Sequence, residues 1–131
     1  MKKQGILNRE LSAVFATLGH GDTVVIADCG LPIPTTVKCV DLSYTIGEPN
    51  FQSIFNSVKE DMVFEKVTLA NEIKDNNPQL ERYIEKEIGK VEVAYLSHQK
   101  FKEDISKAKV VIRTGEATPY ANVILQSGVI F

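Results

Sequence analysis

The chain has two histidines, and one of them stands just before an apolar run that ends on an aspartate. The stretch reads Gly19–His20–Gly21–Asp22, then Thr23–Val24–Val25–Ile26–Ala27, then Asp28–Cys29–Gly30–Leu31–Pro32. Imidazole gains and loses a proton near neutral pH, so it can serve as acid or base. A buried strand needs turns at its ends but not an ionisable group at each. His20 is therefore the candidate proton donor, and Asp28 the candidate carboxylate. Each also has a plain structural use. An imidazolium after a helix suits the helix C-terminus, and an aspartate in a Gly–Leu–Pro turn can accept from backbone N–H groups.

Two further segments carry polar chemistry. His98 directly follows the apolar run Val91–Leu96, and Lys102 lies one helical turn on, on the same face. In open parallel sheets ligands bind outside the carboxyl ends of the strands. Two strand ends that each carry a titratable group, Asp28 and His98, favour a binding site there over two unrelated surface residues. The stretch from Arg113 to Asn122 is the longest polar, turn-rich segment. Its Tyr120 and Asn122 supply the donors and acceptors that a sugar requires, although connecting loops are polar in any case.

The elements that must position these residues follow from periodicity. Leu11, Val14, Phe15 and Leu18 form one apolar helix face, with Asn8 as its cap, so the first helix is expected over Arg9–Leu18. Thr23–Ala27 is the first strand and Val37–Leu42 the second. Phe51, Ile54, Phe55 and Val58 repeat the helical spacing after the cap Asn50. Met62–Ala70 is rich in β-branched and aromatic residues and reads as a strand. Asn77–Pro78 opens a helix that Gly89 stops. Val91–Leu96 is a strand, and Ser97 caps a helix containing Phe101, Ile105 and Ala108. Lys109–Arg113 and Asn122–Gln126 complete the strands, with Val129–Phe131 as a candidate extension of the sheet. Alternating helices and strands with short connections predict a single layered α/β/α domain with a mostly parallel, mixed sheet of about six strands. The apolar C-terminal Phe131 is expected to be buried, in the domain or against another subunit.

Composition narrows the function. The 131 residues are 44% apolar and 24% charged, and the formal net charge is −2. That is an ordinary globular balance, and it argues against nucleic-acid or acidic-membrane partners, which need a basic surface. No apolar run approaches the roughly 20 residues of a membrane span. Cys29 and Cys39 have neither CxxC nor zinc-type spacing. Nothing after Met1 resembles a signal sequence, so a cytoplasmic protein with reduced thiols is expected. Nucleotide-binding glycine patterns and the serine elbow are absent. The two histidines lack the neighbouring carboxylates of a metal site.

Four segments together resemble the family of ribose pyranases and fucose mutarotases. They are Gly19–His20–Gly21–Asp22, Ala27–Asp28–Cys29–Gly30–Leu31–Pro32, Leu96–Ser97–His98, and Arg113–Thr114–Gly115–Glu116 with Pro119–Tyr120–Ala121–Asn122–Val123–Ile124–Leu125. The resemblance runs essentially end to end. It implies an isomerase that interconverts the pyranose and furanose forms of D-ribose, with no cofactor and no metal, in a ring-shaped homo-oligomer, a decamer. It further implies His20 as proton donor, with Asp28, His98, Tyr120, Ala121 and Asn122 binding the sugar. The other readings are a mutarotase for another aldose such as fucose, or a sugar-binding module accessory to ribose uptake that does no chemistry.

Strand geometry adds a constraint. A straight strand from Thr23 to Asp28 spans about 17 Å, which is far more than a ribose. Either the His20–Gly21–Asp22 turn folds back toward Asp28, or a neighbouring subunit completes the site.

Overall fold

The structure is a computed structural model that describes residues 1–131. Its elements, in chain order, are α1 (Arg9–Phe15), β1 (Thr23–Ala27), β2 (Cys39–Asp41), α2 (Phe51–Asp61), β3 (Phe64–Ala70), α3 (Ile73–Asn76), α4 (Pro78–Ile88), β4 (Glu92–Leu96), α5 (His98–Ile105), β5 (Val110–Arg113) and β6 (Val123–Ser127). The strands form one six-stranded sheet in the order β2–β5–β1–β6–β3–β4. The pairs β1–β5, β2–β5 and β3–β4 are parallel, while β6 is antiparallel to both β1 and β3. Five strands therefore end at one edge of the sheet, and β6 begins there.

The sheet separates two apolar layers. Val24 and Ile26 of β1 face a larger core with Leu11 and Val14 of α1, Phe51, Phe55 and Val58 of α2, and Leu80, Ile84 and Ile88 of α4. Val25 and Ala27 face a smaller one with Phe101 and Ile105 of α5, and Leu31 and Val37 of the β1–β2 connection. That alternation is the two-residue period of a strand buried on both faces.

The expected helix caps are present. Asn8 accepts from Leu11 N, Asn50 from Ser53 N and Ser97 from Lys100 N, each relieving an otherwise unpaired donor of the first turn. Pro78 occupies the start of α4, and Gly89 ends that helix at φ 60°, a conformation glycine reaches without steric cost. Asn77 places its side chain elsewhere: Nδ2 donates to Thr118 Oγ1 (3.0 Å) and to the Pro119 carbonyl (2.9 Å).

Several boundaries differ from the sequence expectation. α1 stops at Phe15, because Thr17 N and Leu18 N turn back to the carbonyls three residues before them. Leu18 still packs on the larger core. β2 is three residues long rather than six. Cys39–Asp41 is the part in register with β5, and the flanking Lys38 carbonyl and Leu42 N each add one bond to it, from Val111 N and to the Arg113 carbonyl. The short helix α3 was not foreseen, since one turn carries no periodic signal. Val129–Phe131 lies outside the sheet, with Phe131 fully exposed on this chain. Burial of that residue within the domain is thus ruled out: β6 has ended, and nothing in the chain covers the tail.

Phe55 is the centre of the larger core. It is fully buried, stacks on Phe51 (5.7 Å between centroids) and meets Tyr83 (6.3 Å) and Phe64 (6.5 Å). Phe55→Ala removes the ring that joins α2, α4 and β3. It is expected to cost about 3–5 kcal/mol of stability, measured as a lower urea midpoint with the slope unchanged.

Candidate active site

The C-terminal edge of the sheet collects most of the residues singled out by type and spacing. β5 and β6 are separated in the sheet by β1. The chain from Thr114 to Asn122 must therefore pass over the end of β1, where Asp28 stands. Thr114, fully buried, donates to the Ala27 carbonyl through both its N–H (2.9 Å) and its Oγ1 (2.8 Å). Cys29 N donates to the Glu116 carbonyl (2.8 Å). Arg113 donates through Nε and Nη2 to the Cys29 carbonyl (3.2 and 2.9 Å), and through Nη1 to Asp41 Oδ2 and Ser43 Oγ. The backbone on both sides of Asp28 is thereby fastened.

Asn122 completes that hold. Its Oδ1 accepts from Asp28 N (2.8 Å), and its Nδ2 donates to Asp28 Oδ2 (2.7 Å). Only one orientation of the amide satisfies both bonds. Asn122 is 1% exposed, so its polar atoms depend on this partner. The other carboxylate oxygen, Asp28 Oδ1, accepts from Gly30 N (2.9 Å).

Tyr120 adopts φ 53°, the only non-glycine residue with a positive φ. Such a conformation costs about 1–3 kcal/mol, and it persists where the surroundings over-determine it. Here Asn122 N donates to the Tyr120 carbonyl (2.8 Å) across the fully buried Ala121. The turn sends the Tyr120 ring edge-on against His98, at 5.1 Å and 88°. His98 also stacks on Phe101, one turn along α5, at 6.4 Å. His98 Nδ1 is buried and has no hydrogen-bond partner.

Glu72 was not singled out by sequence. It follows the end of β3 by two residues and accepts from His98 N with both carboxylate oxygens (3.1 and 3.0 Å). That bond holds the Glu72 carboxyl below its usual value, with its own backbone N–H and the His98 side chain adding to the effect. The signal that could have found it is the one that found Asp28: an acidic residue just past an apolar strand.

His20 is elsewhere. Its side chain is 59% exposed at the opposite edge of the sheet. Gly21 N donates to the Ser127 carbonyl, Ser127 N donates to the Asp22 carbonyl, and Asp22 Oδ2 accepts from Gly19 N. The turn is thus fixed to the end of β6 and does not fold back toward Asp28. His20 Nε2 lies 2.9 and 3.1 Å from the two carboxylate oxygens of Glu65. Within one chain, Asp28, His98, Tyr120, Ala121 and Asn122 come together and His20 does not join them. Lys102 lines a cleft with Pro32, Ile33 and Pro34, in the segment that follows Asp28.

A sequence model of the RbsD / FucU transport protein family matches residues 1–130. The chain belongs to that family. It is 57% identical to a D-ribose pyranase of Bacillus cereus, over the full length of both chains. In fold it is similar to Bacillus subtilis RbsD, solved in complex with D-ribose, at a TM-score of 0.98 and 50% identity over all of both chains. It is also similar to the fucose mutarotase of Streptococcus pneumoniae, solved with L-fucose, at a TM-score of 0.81 and 25% identity over 95% of each chain.

The family relationship leaves the Asp28–Asn122 pair as a feature that can be tested for stability alone. Asn122→Ala is expected to lower stability by about 1–3 kcal/mol, because Asp28 N and one carboxylate oxygen lose their partner together. Equilibrium urea unfolding without sugar measures it.

Proposed function

We propose that this chain is a sugar mutarotase that interconverts the pyranose and furanose forms of D-ribose. The observation that carries this reading is its 57% full-length identity to a D-ribose pyranase. The edge site supports it: a carboxylate, an amide, a tyrosine and an imidazole converge on one small area. The lower identity to the fucose enzyme, 25%, favours ribose over fucose.

The reaction opens the sugar ring and closes it through a different hydroxyl. Opening requires a proton on the ring oxygen while the anomeric hydroxyl gives one up. The free aldehyde then accepts another hydroxyl, and the proton movements reverse. A group that titrates near neutral pH suits both directions and typically contributes about 10²–10⁴-fold. We assign that role to His20. Asp28, His98, Tyr120 and Asn122, with the backbone at Ala121, bind and orient the sugar. The His98 ring offers a nitrogen to a sugar hydroxyl, and Asp28 is an acceptor. Orientation of this kind lowers the barrier by holding the reacting atoms in place.

Because His20 and Asp28 stand at opposite edges of the sheet, the active unit is an oligomer in which one subunit's His20 serves its neighbour's Asp28 edge. The family resemblance supports a ring-shaped decamer. The exposed apolar side chains of Tyr44, Ile46, Ile130 and Phe131 supply surface for subunit contacts. The whole chain acts as one domain. A cytoplasmic location is supported by its two unpaired cysteines, and no helix is long and apolar enough to cross a membrane.

Two experiments test this. NMR saturation transfer between pyranose and furanose signals of D-ribose is expected to show faster exchange with the protein than without it. No acceleration between pH 5 and 9 would leave only sugar binding. Separately, His20→Ala and Asp28→Ala proteins are each expected to be inactive, and to regain partial activity after subunit exchange. Well-mixed hetero-oligomers that stay inactive would place the whole site in one chain.

A further inference from the structure

The contact between His20 and Glu65 depends on an irregularity in β3. Val67 and Leu69 face the larger core, whereas Lys66 and Thr68 face the other side of the sheet, where they line a trough with Ala94 and Ile124. Strict alternation would send Phe64 to the side of Lys66. Instead Phe64 packs with Phe55 in the larger core. The ladder to β6 shows why. Lys66 pairs with Gln126 but Phe64 pairs with Ser127, so two steps of β3 oppose one step of β6. Glu65 is the extra residue of a β-bulge, which Gly128 N closes by donating to the Val63 carbonyl (3.0 Å). A bulge re-aims a side chain that regular pleating would point elsewhere. In a regular strand Glu65 would share the core face of Val67 and Leu69. The bulge sends its carboxylate past the end of the sheet to His20.

The carboxylate is itself held. Gln126 Nε2 donates to Glu65 Oε1 (3.0 Å), the same oxygen that stands 2.9 Å from His20 Nε2. A carboxylate accepts and does not donate, so the hydrogen of this contact belongs to His20 Nε2. Nδ1 is then the atom left to exchange a proton. As imidazolium, His20 gives the Nδ1 proton to the ring oxygen and becomes the neutral ring that keeps its hydrogen on Nε2.

We infer that Glu65, presented by the β3 bulge and steadied by Gln126, is a positioning residue that fixes the tautomer and direction of His20 so that Nδ1 carries the transferred proton. This rests on the reading of His20 as proton donor, and the test separates the two. Saturation-transfer rates and sugar affinity are measured for Glu65→Ala, Glu65→Gln, His20→Asn and the double variant Glu65→Ala/His20→Asn. Glu65→Ala is expected to slow turnover at least about tenfold with KM changed less than about twofold. Glu65→Gln keeps an oxygen acceptor for Nε2–H and is expected to recover most of that loss. The double variant is expected to be no slower than His20→Asn alone, because Glu65 acts only through the imidazole. In 15N-labelled protein the His20 ring is expected to show the Nε2–H tautomer, giving way to a mixture in Glu65→Ala. A Glu65→Ala protein with full turnover, or one whose loss is additive with His20→Asn, overturns the inference while leaving His20 in place. A fully active His20→Asn protein overturns the parent reading instead.

Discussion

Strand β6 runs against both of its neighbours, and the register of those two antiparallel ladders sets the chemistry at each edge of the sheet. Val123 pairs with Ile26 at one end, and Gln126 pairs with Thr23 and with Lys66 at the other. The first pairing delivers Asn122 to Asp28. The second delivers Gln126 to Glu65 beside His20. A slip of one residue would turn every side chain of β6 to the opposite face. Such a slip would drive Gln126 into the larger core and lift Leu125 out of it, so the apolar pattern of β6 enforces the polar one.

The polar groups in direct contact with Asp28 and its flanking backbone are mutually satisfied rather than merely adjacent, while His98 Nδ1 at the same edge has no partner. Asn122 uses its amide oxygen and nitrogen on one residue, and Thr114 puts its hydroxyl and its N–H on one carbonyl. Buried polar networks of this kind rigidify a loop when every member has a partner and become costly when one is missing. Here the network holds a tyrosine at a positive φ. The Asp28 edge is thus a stiff surface, and a ligand bound there would cost it little conformational freedom.

Much of this was legible in the sequence, and the limits have physical causes. The helix faces, their caps and the alternation of elements depend on local periodicity, so Asn8, Asn50, Ser97 and Gly89 read directly. The polarity of β6 could not be read, since a strand of Val, Ile and Leu pairs equally well in either direction until its neighbours are known. β2 shortened because strand length depends on the partner strand. Asp28, His98, Tyr120 and Asn122 were visible as polar residues at strand ends, and strand rise left two possibilities for His20, a turn that folds back toward them or a place in a neighbour's site. Glu65 and Glu72 were missed. Glu72 needs the neighbouring strand β4 to bring His98 beside it. Glu65 needs the bulge, whose trace in the sequence is Phe64, an aromatic residue out of phase with Val67 and Leu69.

The Asp28–Asn122 pair also has a direction that reaches the gene. The amide donates and the carboxylate accepts, so the pairing does not survive if both residues are carboxylates. A single base transition converts an asparagine codon to an aspartate codon. At residue 122, which is 1% exposed, that small genetic step exchanges an –NH2 for a charged oxygen facing a second charged oxygen. It would also be the chemical outcome of hydrolysing the same amide during ageing of the folded protein. The burial that makes Asn122 depend on its partner also limits the access of water to its amide.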